Sequence, residues 1–193
     1  TILSDAAALI ADKAILGNAV VREWHIDHSF SEIQIGFPEA ADDFQEAYNL
    51  KDKIIPGIVL CSSDTGDSSV VIRGTYRKYN SQHYATTEEF RAKHSGSITA
   101  DDILDIVNND ILKNIRRLPE ALASLMAKPI GNFDLATDKG RRKNYRAMEE
   151  SLKYGAKQLK LVPVLGVSRM KSIRECMADE INSKIQYTEY DVA

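Results

Sequence analysis

The spacing of apolar residues changes near the middle of this chain. In the first half, residues 20–37 are predicted to form a strand, and Ile33, Ile35 and Phe37 alternate with polar residues in it. From residue 86 onward, apolar residues recur every three or four positions, as on one face of a helix. A β-rich first half followed by a helical second half predicts an α+β fold, with a mixed or antiparallel sheet packed against helices.

A β-hairpin is predicted over residues 54–77. Two apolar segments, 58–61 and 70–72, flank residues 62–68, which are rich in Ser, Asp and Gly. Asp and Ser bond to their own backbone in turns, and Gly adopts turn conformations easily, so this stretch is predicted to connect the two strands. Both arms are almost continuously apolar, which indicates a sheet covered on both faces.

Capping residues and prolines mark the predicted helices. They run from a cap at Ser4 to about Leu16, from Pro38 to Tyr48, from Thr99 to Met126, from Arg141 to Leu161, and from a cap at Ser168 onward. Thr99 and Asp102 resemble a capping box, in which each residue bonds to the backbone of the other. Pro119 lies inside the third helix and is expected to kink it or to separate two abutting helices.

Two parts of the chain are expected from this layout. Residues 1–130 are predicted to form an α+β domain around the central hairpin. Residues 131–193 are predicted to form a helical C-terminal part that packs on the same core. The 193 residues are 44% hydrophobic, which is enough for one core of good size or two small ones.

Charge is distributed unevenly along the chain. Residues 1–70 hold 4 basic and 12 acidic side chains, whereas residues 71–160 hold 17 and 11, in a chain of net charge −3. The most basic segment is 139–160, where only Glu149 and Glu150 oppose eight lysines and arginines. A local positive field of this kind attracts polyanions even when the total charge is negative.

Two segments are candidate contacts for nucleic acid. The first mixes cations, which bind phosphates, with tyrosines, which stack on unpaired bases. Its residues are Arg73, Tyr76, Arg77, Lys78 and Tyr79, followed by Tyr84. The second is the predicted helix after residue 140, in which the expected phosphate contacts are Arg141, Arg142, Lys143, Arg146, Lys153 and Lys157, and Arg146, Lys153 and Lys157 lie roughly on one face with Lys160. The i,i+4 pairs Arg146–Glu150 and Glu149–Lys153 favour the alternative of an ordinary solvated helix face.

No catalytic residue, metal site or cofactor is predicted. The phosphate-loop, dinucleotide, zinc-protease, nucleophile-elbow and CxxC patterns are all absent from the sequence. His25, Asp27 and His28 are close in sequence, but residues three apart on a strand face opposite sides, which argues against shared metal ligation. Cys61 and Cys176 are expected to be buried, reduced thiols. No apolar run is long enough to cross a membrane, so a cytoplasmic protein without a signal peptide is expected.

The hairpin carries a family resemblance. Residues 56–72, with Tyr76 and Arg77 after them, and the later segment 90–97 resemble a phage- and plasmid-borne family catalogued as domain of unknown function 932. The resemblance spans about residues 51–130. The family's Cys-x-Asn-Gly element is replaced here by residues 78–81, Lys-Tyr-Asn-Ser. The resemblance implies a mobile-element context and supplies no catalytic residues.

These observations predict a non-enzymatic, phage-type protein that binds nucleic acid, single-stranded rather than duplex, without reading its sequence. One alternative is a structural or assembly protein, such as a virion component or a homo-oligomer whose acidic first half docks on the basic second half of a neighbour. Another is an inhibitor of a host defence protein, in which Asp42, Asp43 and Glu46 mimic phosphates. The charge distribution is compatible with all three.

Overall fold

The structure is a computed structural model of the whole chain. The residues it describes are 2–13, 16–27, 30–63, 69–82, 84–87, 89–93, 98–128, 137–144, 146–147 and 150. In chain order their elements are α1 (Ile2–Asp12), β1 (Val20–Ile26), β2 (Phe30–Gly36), α2 (Pro38–Tyr48), β3 (Ile54–Ser63), β4 (Ser69–Lys78), β5 (Ala85–Thr86), β6 (Phe90–Lys93), α3 (Ala100–Ile106), a π-helical turn (Val107–Ile111) and α4 (Leu112–Met126). The fold is α+β, as predicted.

The chain divides into two compact units, Thr1–Pro119 and Glu120–Ala193. The first unit holds the sheet. Of the second, the structure describes the end of α4 and a helical stretch that begins at residue 138. The division falls inside α4, at the proline that interrupts the apolar pattern, whereas the sequence suggested a boundary near residue 130.

The described strands form one antiparallel sheet in the order β1-β2-β3-β4-β5, and β6 also pairs with β4. The predicted hairpin is confirmed, because β3 and β4 pair from Ile54↔Lys78 to Ser62↔Val70. Its turn at residues 64–68 lies outside the described residues. β3 occupies the centre, since β2 pairs along its other edge.

Two expectations about the strands were wrong. Residues 20–37 form two strands, because Asp27 turns the chain: its backbone N–H donates to the Phe30 carbonyl at 2.9 Å, and its carboxylate accepts from the Phe30 N–H at 2.7 Å. The helical pattern was expected from residue 86, yet β5 and β6 occupy parts of residues 85–93. These strands are too short to show an alternating pattern, and their pairing with the long strand β4 defines them.

The sheet has two unlike faces. On the helix-covered face, the apolar side chains Ile33, Ile58, Leu60 and Ile72 are almost fully buried. Helix α1 contacts β2, β3 and α3, and the π-helical turn contacts β4. The opposite face, called the polar face below, carries Glu32, Gln34, Arg73, Thr75, Arg77 and Arg91. Residues of β3 from Ile54 to Ser62 are buried on both sides, as their continuous apolar pattern predicted.

The π-helical turn follows from the spacing of the buried residues. Ile103, Val107, Ile111 and Ile115 are four apart, and all are buried. An α-helix has 3.6 residues per turn, so residues four apart drift around its axis. A π turn takes up an extra residue and reduces that drift. At this point the helix packs closely on the sheet, because a Cβ built on Gly74 would lie 3.3 Å from Ile111 Cγ2.

The helix ends show which capping signals act. Thr99 and Asp102 form the predicted capping box, with the Asp102 N–H donating to Thr99 Oγ1 at 3.2 Å and the Thr99 N–H donating to Asp102 Oδ2 at 2.8 Å.

The predicted cap at Ser4 was wrong: α1 begins at Ile2, which brings Leu3 into the core, and it ends at Asp12. One helix runs through Pro119, so two abutting helices are excluded. The predicted helix after Ser168 lies outside the described residues.

The capping box gives a first testable prediction. Replacing Thr99 with Ala removes the acceptor for the Asp102 N–H, and we expect a loss of about 1 kcal/mol in the free energy of unfolding. Thermal unfolding should shift down by about 4 °C. The control is Thr99→Ser, which keeps the hydroxyl and should unfold close to the parent. Equal melting temperatures for the Ala and Ser variants would contradict the role of the cap.

Candidate nucleic-acid interface

Four cations line one side of the helical stretch in the second unit. Lys139, Arg142, Lys143 and Arg146 lie at positions i, i+3, i+4 and i+7, which fall on one face of a helix, and all four are exposed. Together with Asp138 they line an open hollow of about 590 Å³. We call these four residues the basic helix surface.

The start of this helical stretch has ordinary local chemistry. The Thr137 hydroxyl accepts a hydrogen bond from the Gly140 N–H at 3.1 Å, as an N-cap residue does. Arg141, one of the predicted phosphate contacts, forms an ion pair with Asp138. Within the described part of the chain, no carboxylate pairs with the four cations of the basic helix surface, and the pair expected between Arg146 and Glu150 is not formed. Their charge is therefore not neutralised by those residues.

The second candidate segment extends beyond the described residues. Lys153 and Lys157 lie outside the described residues, as does most of the helix predicted to end at Leu161. Residues 141–144 and 146–147 are helical, as predicted, but the helix begins at residue 138, three residues before the predicted start.

The first candidate segment is split between the two faces of the sheet, because it lies on strand β4. Tyr76 points to the helix-covered face and is 6% exposed, with no hydrogen-bond partner for its hydroxyl among the described residues. Burial raises the pKa of this phenol. The expectation that Tyr76 stacks on bases was wrong, because its ring is enclosed.

The cations of this segment differ in their partners. Arg73 Nη2 lies 2.7 Å from Glu89 Oε2, and Lys78 Nζ lies 2.9 Å from Asp52 Oδ2. Arg77 forms no ion pair with any described residue, and its Nε is buried without a hydrogen-bond acceptor. Arg73 and Lys78 are thus engaged within the chain, whereas Arg77 is not.

Exposed tyrosines remain on either side of this strand. Tyr79 follows β4 and is 58% exposed, with Lys53 Nζ 5.0 Å from the centroid of its ring. Such a cation–π contact orients the ring and leaves its other side accessible. Tyr84 lies over the polar face, where its hydroxyl accepts a long hydrogen bond from Gln34 Nε2 at 3.5 Å. Burial, and next the negative charge of Glu32, raise the pKa of Tyr84.

Cys61 is also on the polar face, where it is free and buried as predicted. Its thiol donates to Glu32 Oε2 at 3.5 Å. Burial, reinforced by the negative charge of Glu32, raises the pKa of Cys61 to about 12. The thiol is therefore protonated at neutral pH and is a poor nucleophile. Cys176 lies outside the described residues.

Glu89 holds two arginines of the polar face. Its carboxylate accepts from Arg73 at 2.7 Å and from Arg91 at 2.5 Å, and these hydrogen bonds hold its pKa below the ordinary value. The sequence analysis did not single out Glu89. Strand pairing explains why Glu89 reaches both arginines. Arg91 on β6 lies opposite Val71 on β4, and Val71 is two residues from Arg73 on the same face.

The structure shows no set of three His, Cys, Asp or Glu side chains arranged for metal binding among the residues it describes. His25 Nε2 lies 3.5 Å from Asp27 Oδ2, and both side chains are well exposed. His28 lies outside the described residues. None of the described helices has both the length and the hydropathy needed to cross a bilayer.

Comparisons with known proteins identified no relative of this chain. Searches of protein-family models, of curated proteins and of solved structures found no match to this chain. The candidate interface is therefore defined by the charges and geometry of its own residues.

The ion pairs of Glu89 with Arg73 and Arg91 predict that stability depends on pH. The pKa of Glu89 is lower in the folded protein than in the unfolded chain, where it is about 4.3. Glu89 therefore stabilises the fold above the unfolded pKa, and this stabilisation is lost as the pH falls through the folded pKa. We expect Glu89→Gln to unfold at lower urea concentration than the parent at pH 7. The difference should shrink below about pH 4. Glu120→Gln is the control, because Glu120 is exposed and pairs with no cation in the described region. A gap that stays constant with pH would contradict the assignment.

Proposed function

We propose that this protein binds single-stranded nucleic acid through phosphate contacts of the basic helix surface. The observation that carries the proposal is the alignment of Lys139, Arg142, Lys143 and Arg146 on one helix face, unneutralised by the described carboxylates and beside an open hollow. Cations that have no carboxylate partner among the described residues attract a polyanion without first breaking internal ion pairs.

The spacing of these cations suits a backbone contact rather than the reading of bases. Seven residues of helix rise about 10 Å, so the four side chains form a short row along one axis. Arginine forks bind phosphate through two parallel hydrogen bonds, and lysine binds it as a point charge. Such contacts carry no sequence information, so the proposed binding is non-specific. Tyr79, in the first unit, is the most exposed of the described tyrosines, and an exposed ring of this kind can stack on an unpaired base.

We further infer a mobile-element setting, in the cytoplasm of a host cell. This inference rests on the resemblance of residues 51–130 to domain of unknown function 932. Within that range, β3 and β4 form the hairpin that the apolar pattern predicted. No step of the proposed binding depends on this setting.

A second candidate function, self-association, is favoured by the outer strand β1. All seven of its residues are exposed, and Trp24 is 72% exposed beside the exposed Val21 and Ile26. An edge strand presents unpaired backbone N–H and C=O groups, and apolar side chains along it favour pairing with another strand. The occupant we infer is β1 of a second copy, because two identical strands pair antiparallel about a two-fold axis.

Nucleic-acid binding is tested with a fluorescent oligo(dT) and the double substitution Arg142→Ala/Arg146→Ala. Loss of two phosphate contacts should reduce the log–log salt slope by about 1.4 between roughly 50 and 200 mM salt. Affinity at the lower salt should fall on the order of tenfold.

The matched control for this experiment is Arg116→Ala/Arg117→Ala. Both arginines are exposed on α4, and the net charge changes by the same amount. Equal effects of the two double substitutions would show that only total charge matters. Parent protein that forms no complex with oligo(dT) at about 50 mM salt would reject the proposed function.

Self-association is tested with Ile26→Lys, since a charge on an edge strand opposes strand pairing. In sedimentation velocity the parent should move from dimer to monomer on dilution, whereas the variant should remain a monomer. Trp24 is the sole tryptophan, so its emission should shift to shorter wavelength as the parent concentration rises. Tyr48→Lys, at an exposed position on α2, is the control. A parent that is monomeric at every concentration excludes this second candidate.

A further inference from the structure

A hollow interrupts the polar face where three small residues lie side by side. Gly36 on β2 pairs with Gly57 on β3, and Gly57 pairs with Thr75 on β4. A Cβ built on Gly57 would lie 2.5 Å from the Ile35 carbonyl oxygen and 2.7 Å from Thr75 Oγ1, so no larger residue fits there. This row forms the floor of a cavity of about 60 Å³.

Two arginines from different strands line this cavity. Arg22 lies across Gly36, since its Nε is 3.1 Å from the position of a Cβ on that glycine. The shift in pairing register between Val21 and Glu23 explains how β1 delivers Arg22 to this face. Arg77 reaches the cavity from β4, and its Nε is buried without a hydrogen bond to any described residue.

These two arginines differ from their neighbours on the same face. Arg73 and Arg91 both bond to Glu89, whereas Arg22 and Arg77 form no ion pair or hydrogen bond with a described residue. Glu23 also lines the cavity but forms no ion pair with either arginine, so the charged side chains among the described lining residues carry a net charge of +1. A guanidinium has five N–H donors, and the buried, unpaired Nε of Arg77 costs free energy, whereas Arg22 is exposed on β1.

The rim adds neutral hydrogen-bonding groups. Gln34, Gln82 and Tyr84 line the cavity together with the arginines. A volume of about 60 Å³ has room for a few water molecules, which suits one phosphate or carboxylate group. Both groups match the planar fork of a guanidinium.

We propose that this cavity is a binding site for a single oxyanion, the phosphate or carboxylate group of a small ligand, held by Arg22 and Arg77. The site belongs to the first unit, and the basic helix surface belongs to the second. Its ligand is a free small molecule, so this proposal does not depend on the proposed nucleic-acid binding.

The site is tested by titrating the full chain with inorganic phosphate and, separately, with acetate. The amide signals of Gly36 and Gly57 are followed by two-dimensional NMR. We expect saturable shifts in the millimolar range with at least one anion. Saturation by phosphate alone identifies a phosphate ligand, and saturation by acetate identifies a carboxylate. An absence of saturable shifts with both anions would overturn the proposal.

Variants separate this site from general charge effects. Arg77→Gln should weaken anion binding at least tenfold, and Arg22→Gln should do the same from the other wall. Arg91→Gln removes the same charge from an arginine already paired with Glu89 and should leave anion binding unchanged. Equal weakening by all three would overturn the proposal. Thermal unfolding of each variant checks that it is folded.

Oligo(dT) provides the third arm of the test. If Gly36 and Gly57 respond to oligo(dT) and to neither small anion, the cavity is part of a nucleic-acid surface and the proposal fails. Arg77→Gln is expected to leave oligo(dT) affinity unchanged, whereas Arg142→Ala/Arg146→Ala is expected to lower it. Binding of the small anions therefore tests the cavity, and oligo(dT) affinity tests the basic helix surface, so failure of one proposal is distinguishable from failure of the other.

Discussion

The pairing and burial of the central strand β3 organise the first unit. β2 and β4 bond to its two edges along almost its whole length, and its residues from Ile54 to Ser62 are buried. Such a strand must be apolar on both sides, because water reaches neither side. Its neighbours direct mainly apolar residues toward the helices, and most residues on the other side of β2 and β4 are polar or charged. The polar face and its cavity depend on this arrangement.

Pairing within the chain distinguishes the cations that hold the fold from those available to a ligand. Arg73, Lys78 and Arg141 each have a carboxylate partner, so their charge is partly used inside the chain. Arg22 and Arg77 at the cavity have none among the described residues. The same is true of the four cations of the basic helix surface. Exposed ion pairs contribute little to stability, but they lower the field that an incoming anion meets.

Local sequence patterns predicted the parts of the fold that depend on neighbours in sequence. The hairpin of β3 and β4, helix α2 from Pro38 to Tyr48, and the capping box at Thr99 were all recoverable, because their signals lie within a few residues. The division of residues 20–37 into two strands was missed, because the turn between them depends on the hydrogen bonds that Asp27 forms with Phe30. β5 and β6 were missed because strands this short carry no alternation.

The sequence by itself determined the α+β class, the buried central hairpin and the accumulation of positive charge after residue 138. Only the tertiary structure decided which of those charges are available. Residues 76, 77 and 78 are consecutive, yet their strand directs Tyr76 into the core and Arg77 to the polar face, and Lys78 meets Asp52. The cavity joins Arg22, Gly36, Gly57 and Arg77 from four strands. No local pattern encodes such a site, because strand register brings together residues far apart in the chain.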